Sequence, residues 1–138
     1  FLADYGLELS RGFRALKVWM AFKEHGAAKF GRLIAQDIGY AQYMAQQIAA
    51  HPSLELFAPV DLNIVCFRYV AANEDASKAL NTEIMLRLQE RGLAVPSDTT
   101  VQGKHGLRCA FNNHRTRYED IDEFLVDVVK IAQEILSE

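Results

Sequence analysis

The order in which helical and strand patterns follow one another constrains the fold of this chain more than any single motif. The periodicity of apolar residues predicts helices at about 10–24 and 28–50, strands at 54–57 and 62–69, a helix at 75–91, extended chain at 93–101, a strand at 107–112 and a last helix from 116. The order ααββαββα does not alternate strictly. It therefore predicts an α+β fold, with helices packed on one face of a small antiparallel sheet.

Local signals indicate where these elements begin and end. Ser10 is placed to cap the first helix, and His25-Gly26 to end it. Gly103-Lys104-His105-Gly106 is typical of a turn. Thr116 and Glu119 have the spacing of a capping box at the start of the last helix.

Composition narrows the class of protein. The chain has 138 residues, of which half are hydrophobic and about a quarter charged, as expected for one folded domain and not for a disordered segment. A net charge of −3 gives no general argument for nucleic-acid binding. Nucleic acid is therefore not an expected partner. No apolar run approaches the length that a membrane span needs, so a membrane is not an expected partner either.

The residues that most often carry chemistry show no familiar catalytic pattern. The four histidines lack metal-ligand spacing, so no metal is expected, and no phosphate-binding loop, dinucleotide fingerprint or nucleophile elbow is present. Cys66 and Cys109 each lie in an apolar run. This is typical of buried free thiols in a reducing compartment, and the cytoplasm is the expected location.

A basic stripe is the most distinctive feature near the start of the chain. Arg11, Arg14 and Lys17 recur every third residue, and no carboxylate occurs between Ser10 and Phe22. Leu16, Trp19 and Met20 form an apolar stripe on another side of the same predicted helix. Two interpretations remain open: a solvated basic edge, or a surface that meets an anionic group.

Two arginines interrupt the apolar strands. Alternation places Arg108 on the same side of its strand as Ala110, opposite Leu107, Cys109 and Phe111. A guanidinium that projects from a sheet needs an anion, and its planar fork suits a carboxylate. For both Arg108 and Arg68 the anion is either a carboxylate of this chain, in a structural ion pair, or that of a ligand.

Three segments together resemble a known family: Ser-Arg-Gly-Phe-Arg-Ala-Leu-Lys-Val-Trp at 10–19, Asn-Ile-Val-Cys-Phe-Arg at 63–68 and Leu-Arg-Cys-Ala-Phe at 107–111. They resemble the C-terminal portion of the pyridoxal-phosphate-dependent group II amino-acid decarboxylases, above all the aromatic-L-amino-acid branch. The resemblance covers nearly the whole chain. It implies a lyase that releases CO2 from an aromatic or related L-amino acid.

The resemblance also implies a domain organisation. The family's members are fold-type I homodimers, so residues 1–25 are expected to be the end of the large cofactor-binding domain with its connecting helix, and residues 26–138 the C-terminal small domain. The lysine that holds pyridoxal 5'-phosphate follows a histidine in the family and is expected upstream of Phe1. Neither Lys17 nor Lys104 has that context. The 138-residue chain by itself is therefore expected to be inactive.

Site residues carry over position by position. Arg108 matches an arginine that pairs with the substrate carboxylate in relatives, and Ser10 matches a position that lines the substrate pocket. Arg11 matches an arginine expected at the active-site edge or in a dimer contact, whereas Gly12 departs from the arginine frequent at its position. No catalytic residue and no metal ligand is assigned within the chain.

Two other classes of function remain open. One is a related fold-type I enzyme with another reaction, such as an aldehyde synthase or a carbon–carbon lyase. The other is a freestanding α+β module that binds or dimerises without catalysis. The chain begins with Phe1 rather than Met, which suggests a piece of a longer polypeptide, and the upstream reading frame would discriminate between an enzyme and a module.

Overall fold

The computed structural model describes Tyr5 and residues 12–138, so the predicted site residues Ser10 and Arg11 lie outside the described residues. The elements are α1 (Arg14–Ala50), β1 (Leu54–Leu56), β2 (Ile64–Tyr69), α2 (Glu74–Glu90), β3 (Ser97–Val101), β4 (Lys104–Ala110) and α3 (Tyr118–Ser137). The chain divides into two compact units, Phe1–Leu33 and Ile34–Glu138. The predicted α+β class is confirmed.

Helix α1 is interrupted where the sequence predicts a helix end. Gly26 has φ 73° and ψ 153°, a left-handed conformation that only glycine adopts easily, and helical geometry resumes after it. The two predicted N-terminal helices are thus the two parts of α1. The start of α1 was predicted wrongly, because Gly12 and Phe13 are not helical and the helix begins at Arg14; the predicted cap, Ser10, lies outside the described residues.

The four strands form one antiparallel sheet in the order β1-β2-β4-β3. The β3–β4 hairpin turns at Gln102 and Gly103, whose φ angles of 52° and 82° are both positive, as a two-residue mirror-type turn requires. The predicted turn at Gly103–Gly106 is therefore too long. Lys104 already pairs with Val101, and β4 starts there.

Helices cover one face of this sheet, as predicted. Val65, Phe67 and Leu107 alternate along β2 and β4 and are fully buried against apolar residues of the helices. The helical residues in this core are Tyr40, Ala41, Met44 and Ile48 of α1, Leu80, Ile84 and Leu88 of α2, and Ile121, Leu125, Val128, Ile131 and Ala132 of α3. The opposite face, called the open face here, carries Glu55, Phe57, Cys66, Arg68, Lys104, Gly106 and Arg108.

Side chains fix the starts of α2 and α3, and neither N-cap residue was predicted. The Asn73 side chain accepts a hydrogen bond of 2.8 Å from the Ala76 amide at the start of α2. At α3 the N-cap is Arg117, and Asp120 accepts from the Arg117 amide at 2.9 Å. The predicted box of Thr116 and Glu119 is wrong by one residue, and because a guanidinium has no acceptor, only the Asp120 half of a box forms. None of the described helices is long and apolar enough to cross a membrane.

Candidate functional site

Two arginines project from the open face on neighbouring strands. Arg68 lies on β2 two residues after Cys66, and Arg108 lies on β4 directly opposite Cys66. Leu107 and Phe67, their neighbours in sequence, point into the core. The side of β4 that was predicted for Arg108 from alternation is thus confirmed.

Arg68 is held completely by carboxylates of this chain. Its side chain is 5% exposed, its Nε donates to Glu55 Oε2 at 2.8 Å, and its two Nη atoms donate to Glu74 at 2.5 and 3.1 Å. Hydrogen bonds from Lys104 and then Arg68 lower the pKa of Glu55, and the hydrogen bond from Arg68 lowers the pKa of Glu74. Of the two interpretations of Arg68, the structural ion pair is confirmed.

Arg108 has no such partner in the part of the chain that the structure describes. Among Tyr5 and residues 12–138, no carboxylate oxygen lies within 4.0 Å of its guanidinium. Its main-chain carbonyl oxygen accepts a hydrogen bond of 3.4 Å from Ser97 Oγ. A partly exposed cation on a rigid strand is thereby left able to receive an anion.

A cleft of about 780 Å³ lies at the end of β4 that carries Arg108. Its walls come from Arg108 to Phe111, from the segment 92–97 and from the first half of α3. Apolar side chains such as Phe111 and Phe124 line it together with the carboxyl groups of Asp120, Glu123 and Asp127. Arg108 is the only cationic residue in this lining, but its side chain projects to the open face, opposite the helices that wall the cleft.

Neither cysteine is an activated nucleophile. Burial raises the pKa of the Cys109 thiol to about 12, and burial also raises the pKa of Cys66. Cys66 faces the open side of the sheet and Cys109 the core side, since Cys109 pairs with Val65. No three His, Cys, Asp or Glu side chains of the described residues gather as a metal site.

The N-terminal part of α1 exposes the predicted apolar stripe. Leu16, Trp19 and Met20 are 40%, 59% and 56% exposed, and Phe13 is 72% exposed. The ammonium group of Lys23 lies 5.8 Å from the centroid of the Trp19 ring. Such a set of large exposed apolar side chains is typical of a surface that contacts another polypeptide segment.

A family model matches one half of the chain. The model is the pyridoxal-dependent decarboxylase conserved domain, and it matches residues 2–70, which include α1, β1 and β2. The chain belongs to this family. The resemblance drawn from the three sequence segments is thereby confirmed, and pyridoxal 5'-phosphate is the cofactor of the family.

Curated relatives extend the match to the rest of the chain. An aromatic-L-amino-acid decarboxylase of Bacillus atrophaeus is 33% identical over 135 residues, which are 96% of this chain and 28% of that protein. A phenylacetaldehyde synthase of Arabidopsis thaliana is 30% identical over 97% of this chain and 27% of its own length. The chain therefore spans less than a third of the curated relatives that it matches.

Solved structures have the same fold. A crystal structure of Oryza sativa TDC with PLP and tryptamine has a TM-score of 0.86 and 28% identity, covering 97% of this chain and 29% of that one. A crystal structure of Rhodiola rosea 4-hydroxyphenylacetaldehyde synthase has a TM-score of 0.83 and 26% identity, covering 96% and 29%. The α+β architecture is thus that of a segment of the family's enzymes.

The described residues do not themselves fit the family's cofactor. Pyridoxal phosphate needs a lysine for its aldehyde and donors for its phosphate, and the cleft beside Arg108 contains no lysine and is lined by three carboxylates. A second cleft, of about 380 Å³, contains Lys130 as its only lysine, together with Asp122, and has no arginine in its lining. No step of cofactor chemistry is therefore assigned to these residues.

Sequence reasoning missed Phe57 and Gly106, which lie next to the candidate site. A Cβ atom on Gly106 would lie 2.5 Å from the Phe67 carbonyl oxygen and 2.7 Å from Cε1 of Phe57, so only glycine fits. A glycine within a strand is itself a signal of close approach, and Gly106 lies two residues before Arg108. That signal was not recognised because Gly106 was assigned to a turn.

Proposed function

We propose that this chain is the C-terminal part of a longer pyridoxal-phosphate-dependent enzyme, called the full-length protein below, which decarboxylates an aromatic or related L-amino acid. The family match and the decarboxylases among the relatives support this activity. Residues 1–25 would end the large domain and residues 26–138 would form the small domain. The cofactor lysine would come from the rest of the full-length protein, and this segment alone would be inactive.

In this proposal Arg108 binds the α-carboxylate of the substrate. The single observation that carries it is the contrast on the open face: Arg68 is saturated by Glu55 and Glu74, whereas Arg108 has no carboxylate partner among the described residues. A guanidinium on a rigid strand orients a carboxylate through two parallel hydrogen bonds. Holding that group fixes the direction of the bond that breaks when CO2 leaves, while the cofactor accepts the electrons.

The other site assignments rest on the family resemblance. Ser10 would line the substrate pocket, and Arg11 would lie at the active-site edge or in a dimer contact. The exposed apolar residues of the N-terminal part of α1 support a contact with other protein segments, as a fold-type I homodimer would need. The free thiols of Cys66 and Cys109 support a location in the cytoplasm.

A second candidate reaction is aldehyde formation from the same substrates. It is favoured by the relatives described as phenylacetaldehyde synthase, one of which is 30% identical to this chain. Both reactions release the carboxyl group as CO2. They therefore make the same demand on Arg108. The decarboxylase returns a proton to the carbon and gives an amine, whereas the aldehyde requires a two-electron oxidation by dioxygen together with water and releases ammonia and hydrogen peroxide.

Product analysis of the full-length protein tests the proposed activity. The protein is incubated with pyridoxal phosphate and, separately, with L-phenylalanine, L-tyrosine, L-tryptophan and L-histidine, and CO2, amine and aldehyde are quantified. We expect at least one substrate to give CO2 and the corresponding amine in equal amounts. Release of CO2 with aldehyde in place of amine would establish the second candidate, and absence of CO2 with every amino acid would contradict both.

A further inference from the structure

Lys104 and Arg108 occupy equivalent places on the open face but have different partners. Both lie on β4, two residues before and two residues after Gly106, and both project to the same side. The ammonium group of Lys104 reaches across β2 to form an ion pair with Glu55 Oε1. Arg108 has a longer reach but forms no pair with Glu55.

The register explains which residue separates Arg108 from Glu55. Glu55 of β1 pairs with Arg68 of β2. The β2–β4 register, in which Phe67 faces Leu107, places Arg68 beside Gly106 in the next row. Glu55 therefore lies level with Gly106, midway between the two cations. Phe57 extends the β1–β2 ladder by one residue, because its amide donates to the Cys66 carbonyl oxygen at 3.2 Å. Cys66 pairs with Arg108. Phe57 therefore lies in the row of Arg108, on the side of Glu55 away from Lys104.

The Phe57 ring fills the path that an Arg108 side chain would take toward Glu55. The ring spans β2 and reaches β4, where its Cε1 is 2.7 Å from the position that a Cβ of Gly106 would occupy. Phe57 is only 8% exposed, so it is fixed by packing. On the Lys104 side the corresponding residue is Ser53, which directly precedes β1 and whose carbonyl oxygen accepts a hydrogen bond from the Val70 amide, so the residue in that row carries no ring.

We propose that Phe57 is a positioning residue: an apolar divider that prevents Glu55 from capturing Arg108 and so keeps the guanidinium available for the substrate carboxylate. The proposal rests on the proposed function of Arg108. Without the divider, Glu55 would compete with the substrate, and the apparent affinity would fall by the fraction of time that Arg108 remains unpaired. The absence of a side chain at Gly106 leaves the space that the ring needs.

Three variants of the full-length protein test the divider. Phe57→Ala should raise KM about tenfold with kcat nearly unchanged, because a competing pair that forms nine-tenths of the time leaves a tenth of the sites competent. Phe57→Leu keeps an apolar side chain over Gly106 and should retain a KM close to the original value. Phe57→Ala combined with Glu55→Gln removes the competing charge and should restore KM, whereas a purely structural defect would not be repaired by a second substitution.

A crystal structure of the Phe57→Ala variant adds a readout that is independent of activity. We expect an ion pair with an Arg108 nitrogen within about 4 Å of a Glu55 oxygen. If Phe57→Ala does not fold, Phe57→Val, which shortens the side chain less, should show a smaller rise in KM that Glu55→Gln also reverses. An unchanged KM in a folded variant, or a raised KM that Glu55→Gln fails to lower, would overturn the divider.

Arg108→Met separates failure of this inference from failure of the proposed function. If Arg108→Met raises KM and Phe57→Ala does not, the divider is wrong while the role of Arg108 stands. If Arg108→Met leaves KM and kcat unchanged, the role of Arg108 is wrong and the divider falls with it.

Discussion

Replacing Arg108 with methionine is expected to lower kcat/KM of the full-length protein by about 100-fold, the loss that follows from removing a charge-assisted bidentate contact to a carboxylate. Methionine keeps much of the aliphatic bulk but donates no hydrogen bond. Arg108 is partly exposed, and no carboxylate of the described residues is paired with it. Removing its guanidinium therefore leaves no carboxylate of those residues without its partner. The fold is therefore expected to persist, and steady-state kinetics with thermal melting checks both statements.

Lys104→Met is the matched control for this prediction. Lys104 is a cation on the same strand and the same face, but its ammonium group is already paired with Glu55. We expect kcat/KM of this variant to stay within about twofold of the original, as for a surface ion pair of small energetic effect. Equal losses in both variants would show that the positive charge of β4 acts generally, and would contradict a specific carboxylate contact at Arg108.

Replacing Asn81 with leucine is expected to destabilise the protein by about 3 kcal/mol, because several buried main-chain groups would lose their hydrogen-bond partners together. Asn81 is 1% exposed. Its amide donates to the Tyr69 and Ser77 carbonyl oxygens at 2.8 and 2.7 Å, and it accepts from the Tyr69 amide at 2.8 Å. Asn81 of α2 thus bonds Tyr69, the last residue of β2, beyond the β2–β4 pairing, which ends at Phe67 and Leu107.

Urea denaturation measures the loss of stability, and hydrogen exchange locates it. Exchange at the Tyr69 amide should accelerate in the Asn81→Leu variant. Ser77→Ala provides the comparison, since Ser77 Oγ accepts only one hydrogen bond, from the Ala71 amide at 3.0 Å, and about 1 kcal/mol is expected from its loss. A stability change for Asn81→Leu no larger than that of Ser77→Ala would refute the bridging role of Asn81.

The fold was predictable because its signals are local. The alternation of Val65, Phe67 and Leu107 fixes which side of β2 and β4 meets the helices, and it also fixes the side of Arg108. The break at Gly26 follows from the residue type itself. Boundaries that depend on one competing side chain were harder, as the shift of the α3 start to Arg117 shows.

The difference between Arg68 and Arg108 was not predictable from the strands alone. The two arginines occur in similar apolar runs, and both interpretations applied to each. The outcome depends on Glu74, which comes from the start of α2, and on the strand register that places Glu55 beside Arg68. Those are tertiary relationships, and neither spacing nor residue type encodes them locally.

The buried role of Asn81 was missed for a similar reason. A polar residue within a helical pattern is usually assigned to the solvent side, and Asn81 differs only because the end of β2 needs hydrogen-bond partners there. The roles predicted for Ser10 and Arg11 stay predictions, since both residues lie outside the described part of the chain.

Ligand binding without chemistry tests the central claim, that Arg108 is kept unpaired in order to bind the substrate carboxylate. Hydrocinnamate and hydrocinnamyl alcohol share an aromatic ring and differ in the carboxylate, and neither has an amine that reacts with pyridoxal phosphate. Calorimetric titration of the cofactor-loaded full-length protein should show a preference of at least about tenfold for hydrocinnamate, which the Arg108→Met variant should lose. An equal preference for hydrocinnamate in both proteins would contradict the claim.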